Sequence, residues 1–342
     1  MPKSGTVSVG YGKSTAVNRP LRVNFFTLTP GGGSEHIYLA ALRDALTDRE
    51  VVAIDDWRDA DVVHLFEVNA LTSETIRAFQ FPTLYRIIRS DTPLIISTDD
   101  LYFSDDPELT VHPNLYPLNH RLQRLLFERA DAIIAISESV RGRLTSHVTN
   151  TPIHVVHHGV DDAYRDDYTE PDEPFVLHVS LASPRKNPEA VVEVARRLDH
   201  RMVVAGSGWD ELIPDDAENV VLPGFVPEDD LIDLYHRAPV FYFPTRHEGF
   251  GLPVLEAMAA STAVVTSNVY SVPEVAGDAA SLHDPHDIDG HVNAIERLLD
   301  DERQRRQLAE QAHDRATAFT WEQSAADTVD VYRSALASRD GR

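Results

Sequence analysis

Residues 244–259 read PTRHEGFGLPVLEAMA and follow a short apolar run. An apolar strand, a glycine-flanked loop and a helix with proline in its first turn are the parts of a β-α unit. Gly249 and Gly251 let the backbone approach a ligand closely, and the new helix offers unpaired N–H groups. Glu248 and Glu256 stand eight positions apart, about two helical turns. Such carboxylates can accept hydrogen bonds from two parts of one extended molecule. The alternative is that they are surface glutamates beside a β-α turn, which would produce the same sequence pattern.

The same alternation of apolar strands and amphipathic helices extends on both sides of this segment. It predicts mainly parallel, doubly wound sheets, in which ligands bind beyond the carboxyl ends of the strands. The predicted strands are 21–27, 62–66, 93–98, 132–136, 153–157, 175–180, 202–205, 220–222, 240–243 and 263–267. The predicted helices are 35–46, 118–129, 138–144, 189–198, 229–238, 252–260 and 322–336, with a mostly helical region at 288–319.

An acidic stretch with two prolines, 166–174, interrupts the alternation and is predicted to be a linker. We predict a flexible tail at residues 1–20, a Rossmann-like domain at 21–165 and a second one at 175–319. A final helix at 320–342 is expected to pack back toward the first domain. Two such domains joined by a linker place a cleft between them.

The charge balance is unusual for a chain of 342 residues, because 55 acidic and 31 basic residues give a net charge of −24. This argues against nucleic-acid binding, which depends largely on neutralising phosphates, and against docking through a polybasic face. The acidic residues are dispersed, and their mutual repulsion weakens a compact state unless salt screens it. We therefore predict adaptation to multimolar salt, with an acidic protein from an ordinary cytoplasm as the alternative.

Cysteine is absent, which excludes disulfides, thiolate nucleophiles and zinc held by cysteine. No apolar run approaches the roughly 18 residues of a spanning helix, and the first twenty residues lack the apolar stretch of a signal peptide. We expect a cytoplasmic protein, at most peripherally bound to the inner face of a membrane.

Three histidines near strand ends, His64, His157 and His158, are predicted to pack or cap rather than to bind a ligand. No histidine pair shows a convincing zinc-helix spacing near a carboxylate. The Gly-Ser-Gly at 206–208 lacks the third glycine of a dinucleotide-binding loop. We therefore expect neither a metal site nor an NAD site.

Glu248 and Glu256, with Gly-Phe-Gly-Leu-Pro between them and Ala-Met-Ala after them, resemble the signature of the family 4 retaining glycosyltransferases. The resemblance covers about residues 21–336 and implies a GT-B fold, two Rossmann-like doubly wound domains facing each other across a cleft. The nucleotide sugar would lie mainly on the second domain and the acceptor mainly on the first. Further matches in the family's order are 31–33, 130–134 with Ser137, 158–161, 224–226, 273–275 and 277–280.

The resemblance also implies roles for single residues. Glu248 would contact hydroxyl groups of the donor sugar, and Glu256 would bind the ribose hydroxyls. Backbone amides of the intervening loop would meet the sugar or diphosphate, and the 224–226 segment would line the base pocket. The donor-binding residues implied, besides Glu256, are Gly249, Phe250, Gly251, Gly224, Phe225, Val226, Gly32 and Gly33.

Residues 184–187, Pro-Arg-Lys-Asn, match the family's basic diphosphate motif. The chain has three lysines, and Lys186 is the one that follows residue 20. Beside Arg185 at a strand-helix turn, it is well placed to offset the charge that grows on a departing diphosphate. A solvated surface lysine is the alternative.

Two positions depart from the family pattern. Ser180 stands where a second arginine often precedes the diphosphate motif, and Arg185 is the candidate substitute. Asp99 stands where many members carry a histidine that contacts the donor sugar. Its carboxylate could hold a sugar hydroxyl but repels a diphosphate, and the alternative is that Asp99 and Asp100 merely begin a loop.

We therefore predict a metal-independent retaining transferase that moves a hexose from a UDP or GDP type sugar to a hydroxyl of a sugar, lipid-linked or glycan acceptor. Glu248, Lys186, Arg185 and Asp99 are the predicted catalytic residues, and no bound cofactor is expected. Two alternatives stay open: a small-molecule sugar synthase or epimerase-like enzyme of the same fold, and a non-catalytic nucleotide-sugar-binding subunit that needs a partner.

Overall fold

The computed structural model describes residues 19–27, 34–66, 81–98, 116–165, 168–214 and 217–340. We call residues 19–165 the first half and residues 168–320 the second half. The first half contains the strands β1 (Leu21–Thr27), β2 (Val51–Ala53), β3 (Val62–Phe66), β4 (Leu94–Thr98), β5 (Ala132–Ala135) and β6 (Ile153–Val155). Its described helices are α1 (Ser34–Thr47), α2 (Phe81–Ile88), α3 (Tyr116–Phe127) and α4 (Glu138–Thr145).

The second half repeats the alternation and is followed by one long helix. Its strands are β7 (Phe175–Val179), β8 (Arg201–Ala205), β9 (Val220–Gly224), β10 (Val240–Phe243), β11 (Ala263–Ser267) and β12 (Ser281–His283). The helices are α5 (Pro188–Arg197), α6 (Glu228–Arg237), α7 (Leu252–Ala259), α8 (Val272–Ala276), α9 (Ile288–Asp300), α10 (Glu302–Ala316) and α11 (Trp321–Asp340).

The described strands form two parallel sheets, ordered β2-β1-β3-β4-β5-β6 and β12-β11-β10-β7-β8-β9. In each sheet the chain leaves its first strand toward one side and later returns to the other side. The two doubly wound parallel sheets predicted from the alternation are thereby confirmed. In the second sheet this switch lies between β7 and β10, so the loops after these two strands meet where ligands bind in such sheets.

Both sheets are covered on both faces, which explains why their central strands are rich in consecutive apolar residues. All residues of β4, β5, β10 and β11 are buried. Alternate side chains enter different cores: Ile95 and Ile134 pack with α1 and α11, whereas Ile96 and Ile133 pack with α2, α3 and α4. The second of these cores continues into the second half, where it includes Phe250.

The last helix, α11, packs on α1 and β5 of the first half. Tyr332 on this helix lies 2.6 Å from Nδ1 of His64, whose Nε2 lies 2.6 Å from the Ser97 hydroxyl. Burial lowers the pKa of His64 to about 3, so this histidine is neutral, and the prediction that it packs rather than binds a ligand is confirmed. Near the end of α11, Arg339 makes two bonds of 2.8 and 2.7 Å to Asp131.

Four short elements are missing from the sequence prediction: β2, α2, α8 and β12. They have three to eight residues each, too few to show a repeated apolar period. The helical region predicted at 288–319 is also divided in two, because Asp301 ends α9 and accepts the first hydrogen bond of α10 from the Gln304 N–H at 3.0 Å. The predicted tail up to residue 18 and residues 166–167 of the predicted linker lie outside the described residues.

Across the described ranges, no helix combines the length and the apolar character needed to cross a bilayer.

Candidate functional site

The loops after β7 and β10 are joined at the carboxyl ends of the second sheet. The Arg246 N–H and the Thr245 hydroxyl both donate to the Arg185 carbonyl, at 2.8 and 2.9 Å. These bonds bring the basic 184–187 turn beside the 244–251 loop, which the sequence predicted to share one site.

Lys186 and Glu248 form a buried ion pair at this point, with Nζ of the lysine on Oε1 of the carboxylate. Lys186 is 8% exposed and Glu248 is 6% exposed, so the alternative of a solvated surface lysine is wrong. Arg185 lies 3.8 Å from the other carboxylate oxygen, and the Thr245 hydroxyl donates to Oε1 at 3.0 Å. Burial alone would raise the pKa of Glu248, but the charges of Lys186 and Arg185 outweigh it and hold the pKa below its ordinary value.

Asn187 holds the turn that carries Lys186. Its backbone has φ of +57°, a left-handed conformation that asparagine tolerates better than most residues. Its side-chain amide donates to the carbonyls of Pro244 and Pro285, at 3.0 and 2.7 Å. The 184–187 turn is therefore anchored to the β10 loop, and Lys186 is held toward Glu248.

The Gly249–Phe250–Gly251 segment connects Glu248 to α7. Gly251 has φ of +99°, a conformation that strongly favours glycine, and this turn redirects the chain into α7. The Phe250 ring lies 5.8 Å from the ring of His157 and 5.4 Å from that of His158, both in the first half. The Phe250 side chain thus packs between the halves, and only its backbone is available for the donor contact that the resemblance implies.

Glu256 projects from α7 toward α6, where the Tyr235 hydroxyl donates to its Oε2 at 2.9 Å. Burial raises the pKa of the Glu256 carboxyl to about 7, although the hydrogen bond from Tyr235 opposes the rise. The charge of Glu228 adds to the rise, and that of Lys186 opposes it. The two predicted carboxylates therefore differ: the pKa of Glu248 is lowered, which favours its ionised form, while the raised pKa of Glu256 favours its protonated form.

Gly224, Phe225 and Val226 lie where β9 ends, beside the loop after β8. The Gly224 carbonyl accepts from the Gly206 N–H at 2.8 Å, and Gly224 itself has φ of +71°. The turn leaves the Phe225 side chain 81% exposed. An aromatic ring so open to solvent at the ligand-binding edge offers a flat apolar surface.

The two departures from the family pattern have different outcomes. Ser180 is a packing position: its hydroxyl lies 2.7 Å from His178 Nε2, and its carbonyl accepts from the Trp209 indole at 2.7 Å. Asp99, together with Gly32 and Gly33, lies outside the described residues.

One carboxylate that joins the halves, Glu274, lies in the 273–275 match to the family but was given no role by the sequence analysis. Glu274, which precedes the end of α8, accepts hydrogen bonds from the Glu138 and Ser139 N–H groups at the start of α4, at 2.8 and 3.3 Å. His157 also lies 2.6 Å from its Oε1. Burial would raise the pKa of Glu274, but these partners lower it below the ordinary value. A carboxylate at a helix N-terminus is favourable, yet no local pattern around Glu274 indicates that the helix belongs to the other half.

A second contact between the halves flanks Glu248. Arg143 of α4 lies 3.4 Å from Nδ1 of His247, and its guanidinium lies 5.1 Å from the centre of the Tyr270 ring. His247 and Tyr270 are themselves 4.3 Å apart by ring centres. The first half therefore reaches the loop that carries the predicted catalytic glutamate.

Two doubly wound parallel sheets, with a basic turn and a buried ionised carboxylate at the carboxyl ends of the second, form an α/β fold with a candidate site for an anionic ligand. Residues 160–315 match the family described as glycosyl transferases group 1, and residues 15–164 match glycosyltransferase family 4. The chain belongs to the group 1, family 4-like glycosyltransferases, and its fold is GT-B.

Individual proteins show the same likeness. The serotype-specific mannosyltransferase WbdA of Escherichia coli is 31% identical over 247 residues, which cover 62% of this chain and 30% of WbdA. This chain thus spans about a third of that relative's length. Sucrose-phosphate synthase from Thermosynechococcus elongatus superposes with a TM-score of 0.76 at 18% identity, covering 94% of this chain and 100% of that one. HepE from Anabaena, solved with UDP and glucose, superposes with a TM-score of 0.70 at 15% identity. The superposition covers 92% of this chain and 100% of HepE. These two structures are similar in fold.

Proposed function

We propose that this chain transfers a hexose from a nucleoside diphosphate sugar to a hydroxyl group of a glycan or lipid-linked acceptor. The observation that carries the proposal is the Lys186–Glu248 pair beside Arg185 at the switch point of the second sheet. In a chain with 55 acidic residues, two adjacent cations fixed at a ligand-binding edge favour an anionic ligand. A diphosphate supplies that charge, and a sugar hydroxyl supplies a donor for Glu248.

In this mechanism Lys186 and Arg185 stabilise the negative charge that develops on the departing nucleoside diphosphate. The ionised Glu248 accepts a hydrogen bond from a sugar hydroxyl and so orients the hexose. Glu256 accepts from the ribose hydroxyls, and the exposed Phe225 ring stacks on the base. Approach of the two halves excludes water and thereby suppresses hydrolysis of the donor.

The comparisons support the choice of substrates to test first. WbdA is a mannosyltransferase, so GDP and UDP conjugates of mannose come first. HepE is solved with UDP and glucose, so UDP-glucose comes next. We propose a protein of the cytoplasm, at most peripherally bound to the membrane, since its acceptor could be lipid-linked.

Retention of anomeric configuration and independence of metal ions are part of the proposal. Retention is tested by the one-bond carbon–proton coupling at the anomeric carbon of the product, which distinguishes the two anomers of mannose as well as those of glucose. For metal independence, we expect turnover to be unchanged after dialysis against EDTA. Loss of turnover that Mg²⁺ or Mn²⁺ restores would contradict it.

The first experiment measures thermal shifts with UDP, GDP, ADP and their sugar conjugates in concentrated KCl. We expect one nucleotide to stabilise the wild type and Glu256→Ala to lose that shift, while Glu310→Ala, at an exposed position of α10, keeps it. Lys186→Ala should then lower turnover strongly. Absence of a shift with every nucleotide would overturn the proposal.

Acceptor screening separates the two remaining functions. Turnover with a small soluble acceptor alone would indicate a sugar synthase, and tight donor binding without turnover on any acceptor would indicate a binding subunit. Asp99→His belongs in the same screen, because it restores the residue that many family members carry. We expect it to change the preferred donor sugar if Asp99 contacts that sugar.

A further inference from the structure

The carbonyl groups of the Glu248–Phe250 segment are all engaged by two serine hydroxyls. Ser271 Oγ lies 3.0 Å from the Glu248 carbonyl oxygen and 2.9 Å from that of Phe250. Ser137 Oγ donates to the Gly249 carbonyl at 2.7 Å. Both serines are fully buried, so water does not replace these bonds. Because the Ser271 hydroxyl has one proton, it shares that proton between the Glu248 and Phe250 carbonyls, so two donors hold three consecutive peptide planes from their carbonyl sides.

This arrangement determines where the N–H groups point. In a trans peptide the N–H is directed opposite to the C=O, so the N–H groups of Gly249, Phe250 and Gly251 face away from the serines that hold them. Among the hydrogen bonds of the described residues, none uses these three groups as donors. All three residues are buried, and buried N–H groups without an acceptor are uncommon in folded proteins. They are donors available to a ligand.

The two serines are not explained by helix capping alone. Ser271 stands at the N-cap of α8, but its side chain makes no capping bond and turns to the loop instead. Ser137 does cap α4, accepting from the Val140 N–H at 3.1 Å, and its hydroxyl proton goes to Gly249 in the other half. Each hydroxyl is thus directed at the loop between the two predicted carboxylates.

We propose that Ser137 and Ser271 are positioning residues that hold the loop amides ready for the diphosphate of the donor. The inference rests on the proposed function, since it assumes that the diphosphate binds at this loop. Ser137 belongs to the first half, so the donor loop of the second half is complete only while the halves are in contact. Without the serines, the peptide planes can rotate, and the donors lose their fixed direction.

The test compares ligands that have the diphosphate with ligands that lack it. Calorimetry with UDP and GDP, and with uridine and guanosine, is carried out on wild type, Ser271→Ala and Ser137→Ala. We expect affinity for the bound nucleoside diphosphate to fall about tenfold, equivalent to about one charge-assisted hydrogen bond, with nucleoside affinity unchanged. Ser137→Thr keeps a hydroxyl and should restore the wild-type value.

Ser267→Ala is the matched control, because Ser267 is also fully buried, lies four positions before Ser271, and its hydroxyl has no partner. Equal losses for diphosphate and nucleoside would mean that the serines only support the fold, and unchanged diphosphate affinity in both variants would also overturn the proposal. If Ser271→Ala does not fold, the comparison of Ser137→Ala with Ser137→Thr tests the proposal. A wild type that binds none of UDP, GDP and ADP would contradict the proposed function itself.

Discussion

At the scale of single residues, Lys186 and Glu248 depend on each other. Each would be costly to bury alone, since an unpaired charge in the interior loses its hydration without compensation. Together they place a cation and an ionised carboxylate side by side. In the proposed function the cation interacts with the diphosphate and the carboxylate accepts from a sugar hydroxyl, and a neutral pair would make both interactions weaker. A buried pair of this kind adds little to stability, because apolar residues of similar size are often equally stable, and the role proposed above for the pair is ligand binding.

Lys186→Met should therefore lower the free energy of unfolding by about 3 kcal/mol, because it leaves the buried Glu248 carboxylate with Arg185 at 3.8 Å in place of its direct ion pair. The double variant with Glu248→Gln should recover most of that loss, since the remaining charge is removed. Urea unfolding measures both, and nucleotide affinity should stay low in both. Wild-type stability in the single variant would contradict the buried pair.

Glu256 gives a pH dependence whose sign follows from its raised pKa. Its pKa rises from an ordinary 4.5 to about 7 in the folded protein, so the folded state holds the proton more tightly. The stabilisation is complete below about pH 4.5 and is lost as the pH rises through about 7. The glutamine of Glu256→Gln has no ionisable proton, so this contribution to the free energy of unfolding does not change with pH in the variant.

We expect Glu256→Gln to be more stable than wild type at pH 8 by about 1–3 kcal/mol, with a smaller gap at pH 5.5. Urea unfolding at the two pH values measures the gap, and nucleotide affinity at pH 8 should be lower in the variant. A gap that does not grow with pH would mean that the carboxyl has its ordinary pKa.

At the scale of elements, α11 is held to the first sheet by a buried polar chain. Tyr332 on the helix, His64 on β3 and Ser97 on β4 are connected in series. Because His64 is neutral, its protonated ring nitrogen needs an acceptor and its other ring nitrogen needs a donor. The series of hydrogen bonds from Tyr332 through His64 to Ser97 therefore fixes the helix in one register against the sheet.

Tyr332→Phe should lower the free energy of unfolding by about 1–3 kcal/mol, because it leaves one nitrogen of His64 buried without a partner. Chemical denaturation measures the change, with Tyr85→Phe, at a 61% exposed tyrosine, as the control. We expect nucleotide affinity to stay at the wild-type value in both. A larger loss in the free energy of unfolding for Tyr85→Phe than for Tyr332→Phe would show that the buried hydrogen bonds of Tyr332 and His64 do not stabilise the helix.

At the scale of the whole molecule, 55 acidic residues are opposed by 31 basic ones, and several of the arginines are paired in salt bridges. The excess acidic charge is distributed over the surface rather than gathered in one site. Repulsion of this kind lowers stability at low ionic strength and is screened as the Debye length shortens to about 3 Å at 1 M salt.

We expect the melting temperature to rise steadily between 0.1 and 2 M KCl. Differential scanning calorimetry measures it, and sucrose of matched osmolality serves as the control for effects other than screening. A melting temperature that is flat or falls with KCl would remove the inference of adaptation to concentrated salt.

Much of the fold was predictable from residues close together in the chain. The β10–loop–α7 unit is specified by an apolar strand, two glycines and a proline in the first helical turn, all within sixteen positions. Periodicity likewise predicts most of the longer strands and helices, since each depends on its own side chains. The short β2 and β12 escape this reasoning because their neighbours in the sheet stabilise them.

The sequence by itself determined the two doubly wound sheets, and it predicted a ligand-binding role for the 248–251 loop and for Lys186, because local turn geometry and a rare residue type can be recognised in the sequence. Only the tertiary structure decided which groups meet. Lys186 finds Glu248 across 62 positions, and Ser137 finds Gly249 across 112. The residues next to a hydroxyl or a carboxylate in the sequence do not indicate its partner, since any suitable donor or acceptor that comes within about 3 Å can form the hydrogen bond. That distance is set only when both sheets have folded and the two halves have come into contact.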